Sequence, residues 1–175
     1  MLGYTQSLNQ IMVNFLTSSY RVIGKVNIGS SGLVGLLSNQ TTSIVEASDV
    51  SMARIHEPRV LANKLQMVRM VKHGIVAVGV GRREDLGPQS IARGGFGRLT
   101  EYQVRCVTSS YEFEGVLEWA GRFNISAILS EGSNIFIPLY NVKLRAIRYP
   151  DLSMESPAMV VNRRKIDIIT QLVED

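Results

Sequence analysis

Residues Val13–Ile28 read VNFLTSSYRVIGKVNI, and Val104–Trp119, 91 positions further on, read VRCVTSSYEFEGVLEW. Six of the sixteen positions are identical: Val13/Val104, the Thr-Ser-Ser-Tyr tetrapeptide and Gly24/Gly115. The apolar positions coincide as well, with Phe15 against Cys106, Val22 against Phe113, Val26 against Leu117 and Ile28 against Trp119. Each stretch alternates apolar and polar residues around a short hydroxyl-rich turn, the pattern of two half-buried strands joined by a hairpin. Tyr20, Val22, Gly24, Val26 and Ile28 fall on one strand face. The glycine at the same point of both copies marks a bend, a bulge or a close backbone approach. Self-similarity of this kind predicts a tandem duplication.

Outward from the hairpin, Gly29-Ser-Ser-Gly32 leads into Leu33-Val-Gly-Leu-Leu-Ser-Asn39, which reads as one or two helical turns. A third strand is expected at about 44–55 and a fourth, after Pro58, at about 60–70. Ile75–Val80 either extends the fourth strand or adds a fifth. Pro58–Lys64 (PRVLANK) matches Pro157–Arg163 (PAMVVNR) at a shift of 99, which implies an insert near Tyr149–Glu155. The predicted fold is mainly β: a tandem duplication of a β-β-α-β-β unit, each a small barrel or bent sheet, packed as a pseudo-dimer. Residues 1–78 make the first repeat unit and 101–175 the second. Residues 79–100, rich in glycine and arginine, read as a linker or long loop.

Composition bounds the function. With 45% hydrophobic and 19% charged residues over 175 positions, the chain is globular rather than disordered. One cysteine, Cys106, excludes an internal disulfide framework and any multi-cysteine metal cluster. No run of eighteen apolar residues occurs, so no membrane insertion is expected. The N-terminal residues lack a basic region and a clean apolar core, which argues against a secretory signal and for a cytoplasmic protein.

The second copy carries Tyr111-x3-Gly115, then Arg122-Phe-Asn-Ile-Ser-Ala-Ile-Leu129-Ser130, Ile135-Phe-Ile-Pro-Leu139 and Val161-Asn162-Arg163. The first keeps Tyr20-x3-Gly24, Leu36-Leu-Ser-Asn39 and Ala62-Asn63-Lys64. These motifs resemble a bacterial domain of uncharacterised function, and the resemblance implies a small β-rich fold with no established activity. The bent, glycine-containing strand also resembles that of Sm-like small barrels. Gln66-Met-Val-Arg-Met-Val-Lys72-His73-Gly-Ile75 is loosely similar to the Lys-His signature of bacterial RNA chaperones of that class.

Catalytic chemistry finds little support. Cys106 stands where the first copy has Phe15, as a small buried hydrophobe would. His56 and His73, seventeen residues apart with no third ligand in view, make a poor zinc site. Gly29-Ser-Ser-Gly32 lacks the Lys-Ser/Thr of a phosphate loop, and Gly79-Val-Gly81 lacks the βαβ setting of a dinucleotide fingerprint. No catalytic residue, metal site or cofactor is predicted, and the chain reads as a non-enzyme. Asn63-Lys64 and Asn162-Arg163 form a recurring polar pair, with the asparagines in a structural role. Arg163-Arg164-Lys165 reads as a solvated strand face.

Charge is distributed unevenly: residues 1–80 carry +4, residues 81–107 carry +2 and residues 108–175 carry −2. On the second strand of each copy Arg21 and Lys25 stand where the other has Glu112 and Val116, with Glu114 and Glu118 completing an acidic face. Opposite surfaces of this kind meet within one chain or between chains. The leading reading is a protein-interaction or structural module that self-associates, its partner a second copy or another protein. The alternative is an RNA- or DNA-binding small barrel that uses the basic first copy, Lys64 and the linker arginines Arg82, Arg83, Arg93 and Arg98. Phe96, within Arg93-Gly-Gly-Phe-Gly-Arg98, would stack on a base.

Overall fold

The computed structural model describes residues 9–88, 98–130 and 134–173. Among the described residues ten antiparallel strands form one open sheet. The first half contains β1 (Asn9–Leu16), β2 (Tyr20–Ile28), helix α1 (Gly32–Ser38), β3 (Ile44–Arg54), β4 (Ala62–Val71) and β5 (Ala77–Val80). The second contains β6 (Leu99–Thr108), β7 (Tyr111–Ala120), helix α2 (Ile125–Ser130), β8 (Phe136–Ala146), β9 (Ser153–Asn162) and β10 (Ile166–Gln171). A 3-10 turn precedes the last strand of each half, at Lys72–Gly74 and at Arg163–Lys165.

The two hairpins form for the same local reason. Thr17 Oγ1 accepts the Tyr20 amide at 2.9 Å, and Thr108 Oγ1 accepts the Tyr111 amide at 3.0 Å, so each threonine closes its own turn. Gly24 and Gly115 mark close approaches. A Cβ on Gly24 would lie 2.8 Å from Val50 Cγ2, and one on Gly115 would lie 2.9 Å from the Tyr140 carbonyl oxygen. Both glycines sit at register breaks, between β2 and β3 and between β7 and β8. Close by in the facing strands, Asp49 and Asn141 take φ of 50° and 49°. Asp and Asn tolerate this left-handed geometry better than other side-chain-bearing residues.

Across the sheet the order is β10-β6-β7-β8-β9-β5-β1-β2-β3-β4. Within each half the last strand pairs with the first, β5 with β1 and β10 with β6. The halves join where β9 pairs with β5, through Ala77↔Val161, Val78↔Val160, Gly79↔Met159 and Val80↔Ala158. Among the described residues the sheet does not close on itself, and β4 and β10 are its outer strands.

Two cores lie along the sheet. The first gathers Val13, Phe15, Val22, Val26, Leu33, Val34 and Leu37 from the first half, and also Phe136, Tyr140, Ala158 and Val160 from the second. The second gathers Cys106, Tyr111, Phe113, Leu117, Leu139 and Leu144, with Leu16, Val76 and Ala77 from the first half. Each core therefore draws apolar side chains from both halves.

Several sequence expectations need correction. Of the two readings left open for Ile75–Val80 the added fifth strand forms, at Ala77–Val80; its counterpart in the second half, β10, was not expected. Gly79 and Val80, assigned to the linker, lie in β5 at the centre of the sheet, and Leu86 in the 3-10 turn Arg83–Leu86 is fully buried. The match at a shift of 99 is not a structural equivalence. Strands β4 and β9 start at 62 and 153, so they keep the 91-residue offset of the hairpins, and Asn162 corresponds to Val71 rather than Asn63. Short sequence matches in strands are easily displaced, because a period of two repeats at many offsets. Arg163–Lys165 is a 3-10 turn, not a strand face.

Candidate functional site

The central junction shows what the β4-type and β5-type edges do when they meet. Asn162, almost fully buried, ends β9, and its amide donates to the Val76 carbonyl at 2.8 Å. Its side-chain Nδ2 donates to the Ile75 carbonyl at 2.9 Å, and its Oδ1 accepts the Arg164 amide at 3.1 Å. One asparagine thus satisfies the backbone on both sides of the seam, where an unpaired group would be costly. The Tyr111 hydroxyl crosses the same seam and donates to the Thr17 carbonyl at 2.6 Å. Burial pushes that phenol's pKa upward, so it stays a donor. The Ser156 hydroxyl donates to the Val80 carbonyl at 3.0 Å.

The outer edges present the same positions uncovered. In the β8–β9 pair, Phe136 faces Asn162 and Tyr140 faces Ala158. In the β3–β4 pair, Ile44 faces Val71 and Ser48 faces Met67. Phe136, Ala158 and Asn162 are buried by the first half, whereas Ile44, Met67 and Val71 are exposed, Met67 at 52%. Leu65 extends this apolar strip, and Arg69, ion-paired with Glu46 at 2.7 Å, interrupts it. At the opposite end of the sheet Ile168 of β10 is 57% exposed, although Ala77, its counterpart in β5, is fully buried.

The residues singled out from sequence are dispersed rather than brought together. Arg21 donates through Nε to Asn14 Oδ1 at 3.1 Å, and its partial burial lowers its pKa. Lys25 pairs with Asp49 at 2.8 Å, which holds that carboxyl below the usual range. Glu114 pairs with Arg105 on β6, and Glu112 is exposed. The basic face of β2 and the acidic face of β7 do not meet within the chain. Four strands, β8, β9, β5 and β1, separate them, and Lys25 and Glu114 find neutralising partners within their own halves. Glu118 instead pairs with Arg83, whose guanidinium also lies 3.8 Å from the centre of the Tyr140 ring, so this pair ties the halves together. Arg82 pairs with Asp85 at 2.8 Å, and Lys64 and Arg98 are exposed. Arg93 and Phe96 lie outside the described residues.

A cluster that sequence reasoning missed lies beside the seam. A cavity of about 360 Å³ is lined by Lys72 and His73 from the first 3-10 turn and by Arg164 and Lys165 from the second, with no carboxylate among the described residues of its wall. The Lys72 ammonium is held by the Asn39 carbonyl at 2.6 Å, and burial lowers its pKa. The signal was present in the sequence: at the 91-residue offset Lys72-His73 corresponds to Arg163-Arg164, but the shift of 99 hid it. A second cleft, of about 630 Å³, lies where the two hairpin turns approach, between Ser18, Ser19, Ser109 and Ser110, with Arg54 and Arg148 in its wall.

Among the described residues no group of three or more His, Cys, Asp or Glu side chains could hold a metal ion. Cys106 is buried and its thiol pKa is pushed up to about 12 by desolvation, which makes it a poor nucleophile. No helix among the described residues is long and apolar enough to cross a membrane. No family model, curated protein or solved structure matches this chain.

Proposed function

We propose that this chain is a non-enzymatic, cytoplasmic interaction module that self-associates, built from two copies of one small bent-sheet unit packed as a pseudo-dimer. The observation that carries this reading is the apolar strip Leu65, Met67, Val71 and Ile44 on and beside the outer strand β4. Positions buried at the centre of the sheet are apolar and open at its edge, and an uncovered strand edge is a template for pairing. Light scattering over a range of concentrations tests it. The expected result is a mass that rises above the 19.4 kDa of one chain, and a single-chain mass throughout would overturn the reading.

The cationic cavity supports a second reading, binding of nucleic-acid phosphates. Lys72, Arg164 and Lys165 converge there with no neutralising carboxylate among the described residues of the wall. Titration with single-stranded RNA at several salt concentrations tests it. The expected affinity falls steeply with salt, and Arg164→Ala with Lys165→Ala flattens the dependence. Binding that is absent at low salt would remove this reading.

A further inference from the structure

The internal seam pairs two strands whose counterparts in the other half lie at the ends of the sheet. Strand β4 holds the place in the first half that β9 holds in the second, and β10 holds the place of β5. The ladders fix the residue equivalences. Val71 faces Ile44 as Asn162 faces Phe136, and Gln171 faces Val104 as Val80 faces Val13. In the seam β9 pairs with β5, whereas among the described residues β4 and β10 each keep one edge without a strand.

We infer that β4 of one chain pairs antiparallel with β10 of a second copy, in the register Met70↔Ile168, Arg69↔Ile169, Val68↔Thr170 and Met67↔Gln171. This rests on the self-association reading and deepens it by naming the edges and their polarity. The contact is head to tail, so each chain uses β4 toward one neighbour and β10 toward the other.

A second observation agrees independently. Tyr111 crosses the internal seam to the Thr17 carbonyl and is fully buried, whereas its counterpart Tyr20 is 37% exposed. In the inferred contact Tyr20 reaches the Thr108 carbonyl of the next chain. The chain–chain seam is more polar than the internal one, because Arg69, paired with Glu46, replaces the buried Val160. That substitution makes the contact weaker and dissociable.

Two single-cysteine additions at exposed positions test the register. Met67→Cys and Gln171→Cys chains are prepared separately and mixed under mild oxidation, with the buried Cys106 left in place. A disulfide-linked dimer in the mixture, absent from either variant alone, is the expected result. A linked dimer from Met67→Cys alone would mean edge-to-like-edge pairing and would overturn the inference. Oligomers by light scattering without a cross-link in the mixture would overturn the register while leaving self-association intact. A single-chain mass at every concentration would remove both. Tyr20→Phe adds a check that depends on no new cysteine: the assembly Kd rises about fivefold, and thermal unfolding of the dilute chain is unchanged. An unaltered Kd would count against the contact.

Discussion

The two halves share a strand order and nearly a residue numbering, yet they face different surroundings. Val160 and Tyr111 of the second half are fully buried and Asn162 almost so, whereas the matching Arg69, Tyr20 and Val71 of the first half face solvent. The same position in a sheet takes apolar or hydrogen-bonding residues when it is covered, and charged or mixed ones when it is not. What sets the residue is the neighbour, not the strand. The comparison also separates two kinds of edge: the central seam holds one chain together, and its outer counterparts β4 and β10 end the sheet among the described residues.

The largest test of this comparison converts the seam into an edge. Val160→Arg buries an unpaired cation among the residues of the first core and should cost about 3 kcal/mol or more. Its mirror change, Arg69→Val, should leave the dilute chain within about 0.5 kcal/mol of its original stability, as an exposed ion pair contributes little. Chemical denaturation measures both, and equal effects would dissolve the distinction between seam and edge.

Asn162→Val gives the second half the residue of the first. It leaves the Ile75 carbonyl and the Arg164 amide without their side-chain partner, and should cost about 2 kcal/mol in the same measurement. Tyr111→Phe is milder. It removes one neutral hydrogen bond across the seam, and the expected loss is about 1 kcal/mol, against none for Tyr20→Phe in the dilute chain.

The smallest effect at neutral pH concerns Cys106, which stands where the first half has Phe15. Burial raises the folded thiol's pKa to about 12 from an ordinary 9.0. The folded state therefore holds its proton where the unfolded state has lost it. Stability from this group is fully present below pH 9.0 and declines as pH rises from there toward about 12. The unfolding free energy of the wild type should fall with pH in that window by up to about 1.4 kcal/mol per unit more than that of Cys106→Ala. A thiol reagent at pH 8 should react only on unfolding, and rapid reaction of the folded chain would show that the half-to-half equivalence with buried Phe15 is misplaced.

Much of each half was legible because its information is local. Thr17 and Thr108 close their own hairpins, and the alternation around them sets which side chains face inward. Gly24 and Gly115 were expected to mark a bend, a bulge or a close backbone approach, and both lie at register breaks where a Cβ would be crowded. A meeting of Arg21 and Lys25 with Glu112 and Glu114 within one chain does not occur, for a physical reason. Two strand faces can carry complementary charge without being neighbours, and the sheet puts four strands between them. The cationic cavity was illegible for a related reason, because its four basic side chains come from two turns that only the seam brings together.

The sequence by itself determined the two hairpins, the inward faces of their strands and the glycine positions at which the register breaks. These follow from period-two alternation, side-chain capping and the space a Cβ needs, all decided within about twenty residues. The tertiary structure alone decided that β5 would pair with β9, that β4 and β10 would end the sheet, and that Asn162 would be a buried clamp. Every strand edge offers the same backbone donors and acceptors, so local pattern does not choose between partners. That choice falls to the side chains above and below the seam. Val78, Val80, Ala158 and Val160 bury one another on one side, and Ala77, Met159 and Val161 do so on the other.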